Sequence, residues 1–182
     1  MYLTAKLLAR FGRSTSGVAV VEFALILPLM LLLLIGSVEL GDLISVNKRI
    51  HTVSGSMGDL VARSNKQISP AELNDYFVAA GTTMAPYSSA NLAQIVTSVF
   101  VDEDGATTVS WSRGFNGATA HTAGAAYNLP AELIAIAKSK HVIVSEASLA
   151  YQPLFGYVFK NTFNLSRESY YLPRFGGIIN VV

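Results

Sequence analysis

The sixteen residues from Phe23 to Val38, FALILPLMLLLLIGSV, carry no charge, and around Leu29–Leu34 they carry no polar stripe either. Extending the run back to Val18 gives 21 residues interrupted only by Glu22. At 1.5 Å of rise per residue, a helix of that length spans roughly 31 Å, about the hydrocarbon thickness of a bilayer. A core helix of a soluble domain would turn one polar face to water, and this segment has none to turn. It reads as a membrane helix whose first partner is the lipid bilayer. Lys6, Arg10 and Arg13 precede it with no acidic residue among them, which predicts a cytoplasmic N-terminus and places the chain beyond Ile44 on the far side. A cleaved secretory signal fits less well, because the apolar run is too long and Glu39 and Asp42 crowd its exit.

Composition narrows the function classes. Hydrophobic residues make up 51% of the chain and charged ones 14%, roughly half the charged share of an ordinary soluble domain. That argues against a disordered chain, a basic nucleic-acid binder and an ordinary cytosolic enzyme. A net charge of +1 offers nothing to a polyanion, so no nucleic-acid partner is expected. The chain has no cysteine, which excludes disulfides, thiolate metal sites and a cysteine nucleophile. His51, His121 and His141 do not fall at metal-binding helical spacing, and no metal site is predicted. Neither a nucleophile elbow nor a phosphate-binding glycine loop is present. The expectation is a protein without catalytic residues or cofactor. The acidic turn Asp102-Glu103-Asp104-Gly105 lacks the twelve-residue calcium pattern and reads as a solvated turn.

Glu22 is the exception within the apolar run. A carboxylate at mid-membrane costs about 2.5–3.5 kcal/mol, whereas one at the interface costs little. Its position alone leaves both an interfacial and a functional role open. The flanking residues add to this. Arg13-Ser14-Thr15-Ser16-Gly17 ends a short basic leader, and Val18-Ala19-Val20-Val21-Glu22 places a glutamate five residues after the glycine. This resembles the processing site of type IV prepilins, which a prepilin peptidase cuts after the glycine. The following Phe23-Ala24-Leu25-Ile26-Leu27-Pro28 and Glu39-Leu40-Gly41 are similar to the TadE-like family, minor pilin-like proteins (pseudopilins) of the tight-adherence (Tad, or Flp) type IV pilus. The motif covers about residues 12–62, and the rest of the chain resembles that family only loosely.

The resemblance implies cleavage between Gly17 and Val18. It also implies a bacterial inner-membrane location with a periplasmic C-terminal domain, a role in adhesion, and partnership with other pilins, an inner-membrane assembly platform and the peptidase. A new α-amino group at Val18 would lie in or near the membrane, where an unpaired ion is costly. The Glu22 carboxylate of the same or a neighbouring subunit can neutralise it. Pro28 lacks an N–H and is expected to kink or locally melt the helix near Ala24–Pro28. Glu39, at the outer end where water is available, is expected to tolerate substitution better than Glu22.

Beyond the membrane segment, Val46, Ile50, Val53, Met57, Leu60 and Val61 recur at helical spacing, so the helix is predicted to continue as a stalk to about Arg63, with Gly55 and Gly58 as irregularities. Ser69-Pro70-Ala71-Glu72 is a capping signature opening a second helix to about Met84, with Leu73, Phe77 and Val78 inward. Residues 94–101 and 107–112 read as a hairpin, 113–126 as an exposed loop containing His121, and 130–138 as a short helix. Residues 142–151 and 162–172 read as two further strands joined across Pro153–Lys160. Tyr151-Gln152-Pro153 looks like a strand end met in TadE-like proteins. The expected fold class is α+β, with an N-terminal transmembrane helix extended into a long stalk helix and then a small extracytoplasmic head with an antiparallel sheet. The expected divisions are a leader at 1–17, a transmembrane helix at 18–44, a stalk at 45–66 and a head at 67–182. Two function classes follow: a processed pilus-assembly subunit, or an unprocessed bitopic membrane protein with a periplasmic sensing or binding domain. They part at Gly17, which only the first requires to be cut. A pseudopilin of a type II secretion system is a third class, but those proteins carry different sequence after the glutamate.

Overall fold

A computed structural model describes residues 16–182. The leader residues Lys6, Arg10 and Arg13 lie outside the described part. Helix α1 runs Ser16–Ala62, β1 Gln67–Ile68, α2 Pro70–Thr82, β2 Ala93–Val101, β3 Thr107–Phe115, α3 Ala131–Ile136, β4 Lys140–Tyr151, β5 Phe163–Tyr171 and β6 Asn180–Val181. The fold is α+β, a long apolar N-terminal helix followed by a domain on a four-stranded antiparallel sheet. By its contacts the chain forms two compact units. One comprises the described residues up to Asp42 with Pro153–Asn161, and the other comprises Leu43–Gln152 with Thr162–Val182.

In the second unit, residues 43–62 of α1 do not stand free as a stalk. Val46, Ile50, Val53, Met57 and Val61 recur every three or four residues, so they share one face, and all are buried. They pack on one side of the sheet with Leu73 and Phe77 of α2, Val96 of β2, and Ile143 and Ala147 of β4. Gly58 has a packing reason. A Cβ there would fall 2.5 Å from the Tyr171 ring and 3.3 Å from Ser145, so only glycine lets the helix lie this close to the sheet.

Helix α2 begins where its sequence dictates. The Ser69 hydroxyl accepts the Glu72 N–H at 3.1 Å and Pro70 opens the first turn. Leu73 and Phe77 are buried one turn apart, and Phe77 stacks on Phe115 at 5.1 Å. Val78, expected inward, is instead 52% exposed, because one residue of helical rotation carries it about 100° away from the Phe77 face.

The sheet order is β3-β2-β4-β5, antiparallel throughout. The hairpin turn closes through Asp102, whose carboxylate accepts the Ala106 N–H at 2.7 Å. The second face of the sheet carries a smaller core of Val99, Val101, Val142 and Val144 under Leu129 and Ala137, so β2 and β4 are buried on both sides. A short parallel pairing of β1 with β6 was not foreseen; elements of two residues carry no periodicity to read. Ile68 and Ile179 anchor it in the main core, and the Trp111 indole donates to the Ile179 carbonyl at 2.5 Å. The end of α1 is tied down by Arg174, which donates its N–H to the Ala62 carbonyl at 2.9 Å and its guanidinium to Asp59 at 2.5 Å. The hydrogen bond from Arg63, joined by Arg174, holds the Asp59 carboxyl below the usual carboxylate range. That contribution is present above the ordinary aspartate range and is lost as pH falls through the lowered value.

Met57 is fully buried where α1 meets the sheet. Met57→Ala is expected to cost about 2–5 kcal/mol. At roughly 2–4 °C per kcal/mol for a domain of this size, the melting midpoint of the detergent-solubilised chain should fall accordingly. An unchanged midpoint would contradict the burial of α1 in the domain.

Candidate functional site

The residues singled out from the sequence lie along the N-terminal part of α1. Gly17 sits in open space, with nothing within 4 Å of where a Cβ would stand. Val18 and Glu22 are exposed one helical turn apart. Among the described residues Glu22 has no hydrogen bond and no ion pair. The helix continues unbroken through Pro28, so local melting does not occur there. Proline removes a single N–H, and the helical hydrogen bonds continue on either side of it. Every large apolar residue from Phe23 to Leu34 is exposed, and α1 is, among the described residues, the one helix long and apolar enough to cross a membrane. This is the pattern of a single-pass membrane protein.

Glu39 behaves otherwise than expected. It is 1% exposed rather than bathed in water. One carboxylate oxygen accepts the backbone N–H of Tyr157 at 3.2 Å and the other accepts that of Phe159 at 3.0 Å. Val158 packs where Gly36 leaves room, 3.4 Å from the position of a Cβ. The expectation placed water at this end of the span, but the segment 153–161 occupies it. The missed signal was the segment itself, PLFGYVFK, which is too apolar for an ordinary surface connection.

A second constellation lies on the sheet face opposite α1. His121 Nε2 stands 2.7 Å from Glu146, the Tyr127 hydroxyl donates to the same oxygen at 3.1 Å, and the Tyr170 hydroxyl donates to Glu168 at 2.5 Å. These side chains line one open pocket with Leu129 and Pro130. His121, read as an ordinary loop histidine, therefore ties its loop to β4. Burial, then the Glu146 charge, pushes the Tyr127 phenol well above its usual range. Burial and the hydrogen bond to Glu168 push Tyr170 up to about 12. Both phenols stay protonated as donors, and each carboxylate already accepts one of them. These hydrogen bonds tie the loop that carries His121 and Tyr127 to β4. His141 lies in β4 against the Phe100 ring, and burial lowers its pKa. Among the described residues no three His, Asp or Glu side chains gather as a cation site.

The raised phenols give a pH test. Neutral tyrosine is the form this fold favours, so the contribution is complete below about pH 10 and is lost as pH rises through about 12. In an ultraviolet titration of the eight tyrosines, Tyr127 and Tyr170 should ionise last, and Glu168→Gln should bring the Tyr170 step down. A titration unaltered by Glu168→Gln would contradict the Tyr170–Glu168 hydrogen bond.

Residues 17–54 match the family model described as TadE-like protein. The match holds Gly17, Val18, Glu22, Pro28 and Glu39 and runs on into the buried part of α1. No curated protein and no solved structure matches the chain.

Proposed function

We propose that this chain, TadE-like over residues 17–54, is a Tad pilus-associated membrane protein that acts as a processed minor pseudopilin, a structural subunit rather than an enzyme. The observation that carries the reading is the contrast between the two carboxylates flanking the apolar run. Glu39 has its hydrogen bonds satisfied by neighbouring backbone, whereas Glu22 has no partner among the described residues. A carboxylate at the edge of a membrane helix and without a partner among the described residues is placed to receive one from outside. The α-amino group that cleavage after Gly17 would create at Val18 is of the right charge and one turn away. Removing residues 1–17 takes away Lys6, Arg10 and Arg13 and changes the formal charge from +1 to −2. The partners in this reading are other pilins and pseudopilins, the assembly platform of the inner membrane, and a prepilin peptidase.

Glu22→Ala should still insert, since losing a carboxylate eases insertion, and should reach a near-normal protein level. Pilus output should fall, because an unpaired ion at a buried helix contact costs several kcal/mol. Glu22→Gln, which keeps hydrogen bonding without charge, should be nearly as defective. Surface pili per cell, set against immunoblot level, decide the matter. Normal piliation with Glu22→Ala would reduce Glu22 to an interfacial residue.

The reading also includes an orientation, supported by the three leader cations, with the N-terminus in the cytoplasm. A reporter fused after Val182 should be active on the extracytoplasmic side, and activity in the cytoplasm would reverse the reading.

A further inference from the structure

The segment 153–161 puts three of its large apolar side chains outward. Leu154 is 77% exposed, Phe155 50% and Tyr157 74%. Three such neighbours in an eight-residue stretch with no acidic residue make a contiguous apolar patch, unlike the scattered exposed residues normal on a soluble surface. The segment belongs to the same compact unit as the membrane helix. It is fastened at a definite level, with two backbone N–H groups on Glu39 and Val158 against Gly36. Counting from Val18 at 1.5 Å per residue, Gly36–Glu39 lies roughly 27–32 Å along the helix, where the hydrocarbon ends. Aromatic residues with a flanking lysine are the side chains that settle at that boundary. Tyr157 and Phe155 have amphipathic or apolar rings, and Lys160 can lay its stem along the apolar layer with its ammonium in the headgroups.

We propose that Pro153–Lys160 is a second membrane-contacting element, an interfacial loop that inserts Leu154, Phe155 and Tyr157 into the leaflet at the C-terminal end of the span, with Glu39 as the positioning residue that fastens it to the helix. Backbone near hydrocarbon must have its polar groups satisfied, and the Glu39 carboxylate does this for Tyr157 and Phe159. The loop in turn covers a carboxylate that would otherwise face lipid. The two features that looked independent in sequence, a glutamate ending the apolar run and an apolar segment more than a hundred residues later, form one structure. The inference rests on residues 18–38 spanning the bilayer, and the test separates the two.

The chain has no cysteine, so single cysteines can be introduced without background. Full-length protein in phosphatidylcholine–phosphatidylglycerol vesicles would carry an environment-sensitive fluorophore at Leu154→Cys, Tyr157→Cys, Leu31→Cys or Ile136→Cys. Doxyl-labelled lipid and aqueous iodide serve as quenchers. Labels at positions 154 and 157 should be quenched by shallow doxyl lipid and protected from iodide, as at position 31. The label at position 136, exposed on the other unit, should show the reverse. Adding Glu39→Ala should raise iodide quenching at 154 several-fold while leaving 31 unchanged; no rise would overturn the positioning role of Glu39. Iodide quenching at 154 and 157 with lipid quenching at 31 would overturn the loop assignment alone. Protection from both quenchers would also overturn it, pointing to contact with a second copy. Iodide quenching at 31 would overturn the span and the loop's placement together.

Discussion

One backbone, the helix Ser16–Ala62, has to satisfy two different surroundings, and the rest of the protein is arranged around that demand. From Phe23 to Leu34 its side chains are apolar around the whole circumference and its large ones are exposed, which lipid tolerates and water does not. From Val46 onward the apolar residues narrow to one face, and that face forms the floor of a protein core. The change from an all-round apolar surface to a stripe happens within about two turns. It coincides with the boundary between the two compact units at Asp42 and Leu43. In water, helices draw most of their stability from packing rather than from intrinsic propensity. The second half of this helix is supported by tertiary burial, and Gly58 is accepted because the sheet must come close.

The two glutamates that bracket the apolar run show how similar positions in sequence become different in structure. Glu39 receives two backbone hydrogen bonds from a segment 118 and 120 residues away in sequence and is sealed from solvent. Nothing among the described residues does the same for Glu22. In physical terms one carboxylate belongs to the fold and the other is left over. The proposed assembly role of Glu22 rests on this contrast: a carboxylate without a partner among the described residues is available to a neighbouring subunit.

Much of this was legible in the sequence because it rests on local patterns. Ser69 and Pro70 mark the start of α2, the Asp102–Gly105 turn divides two β-branched runs, and the three- and four-residue spacing from Val46 to Val61 gives the buried face. What stayed hidden depends on contacts distant in the chain. The partner of Glu39 lies beyond the fourth strand, His121 meets Glu146 only once the loop folds over the sheet, and β1 pairs with β6 across almost the whole domain. Val78 was misplaced for a local reason: three apolar residues were assigned to one face where the helical angle admits two.

The proposed role requires that the chain be delivered to the membrane as a precursor and used as a shorter, more acidic subunit. The most direct test is the N-terminal sequence and intact mass of the protein extracted from membranes of cells that assemble pili. A chain beginning at Val18, lacking the first seventeen residues and their three positive charges, is the predicted result. A chain that still begins at Met1 would contradict it and favour an unprocessed membrane-anchored domain.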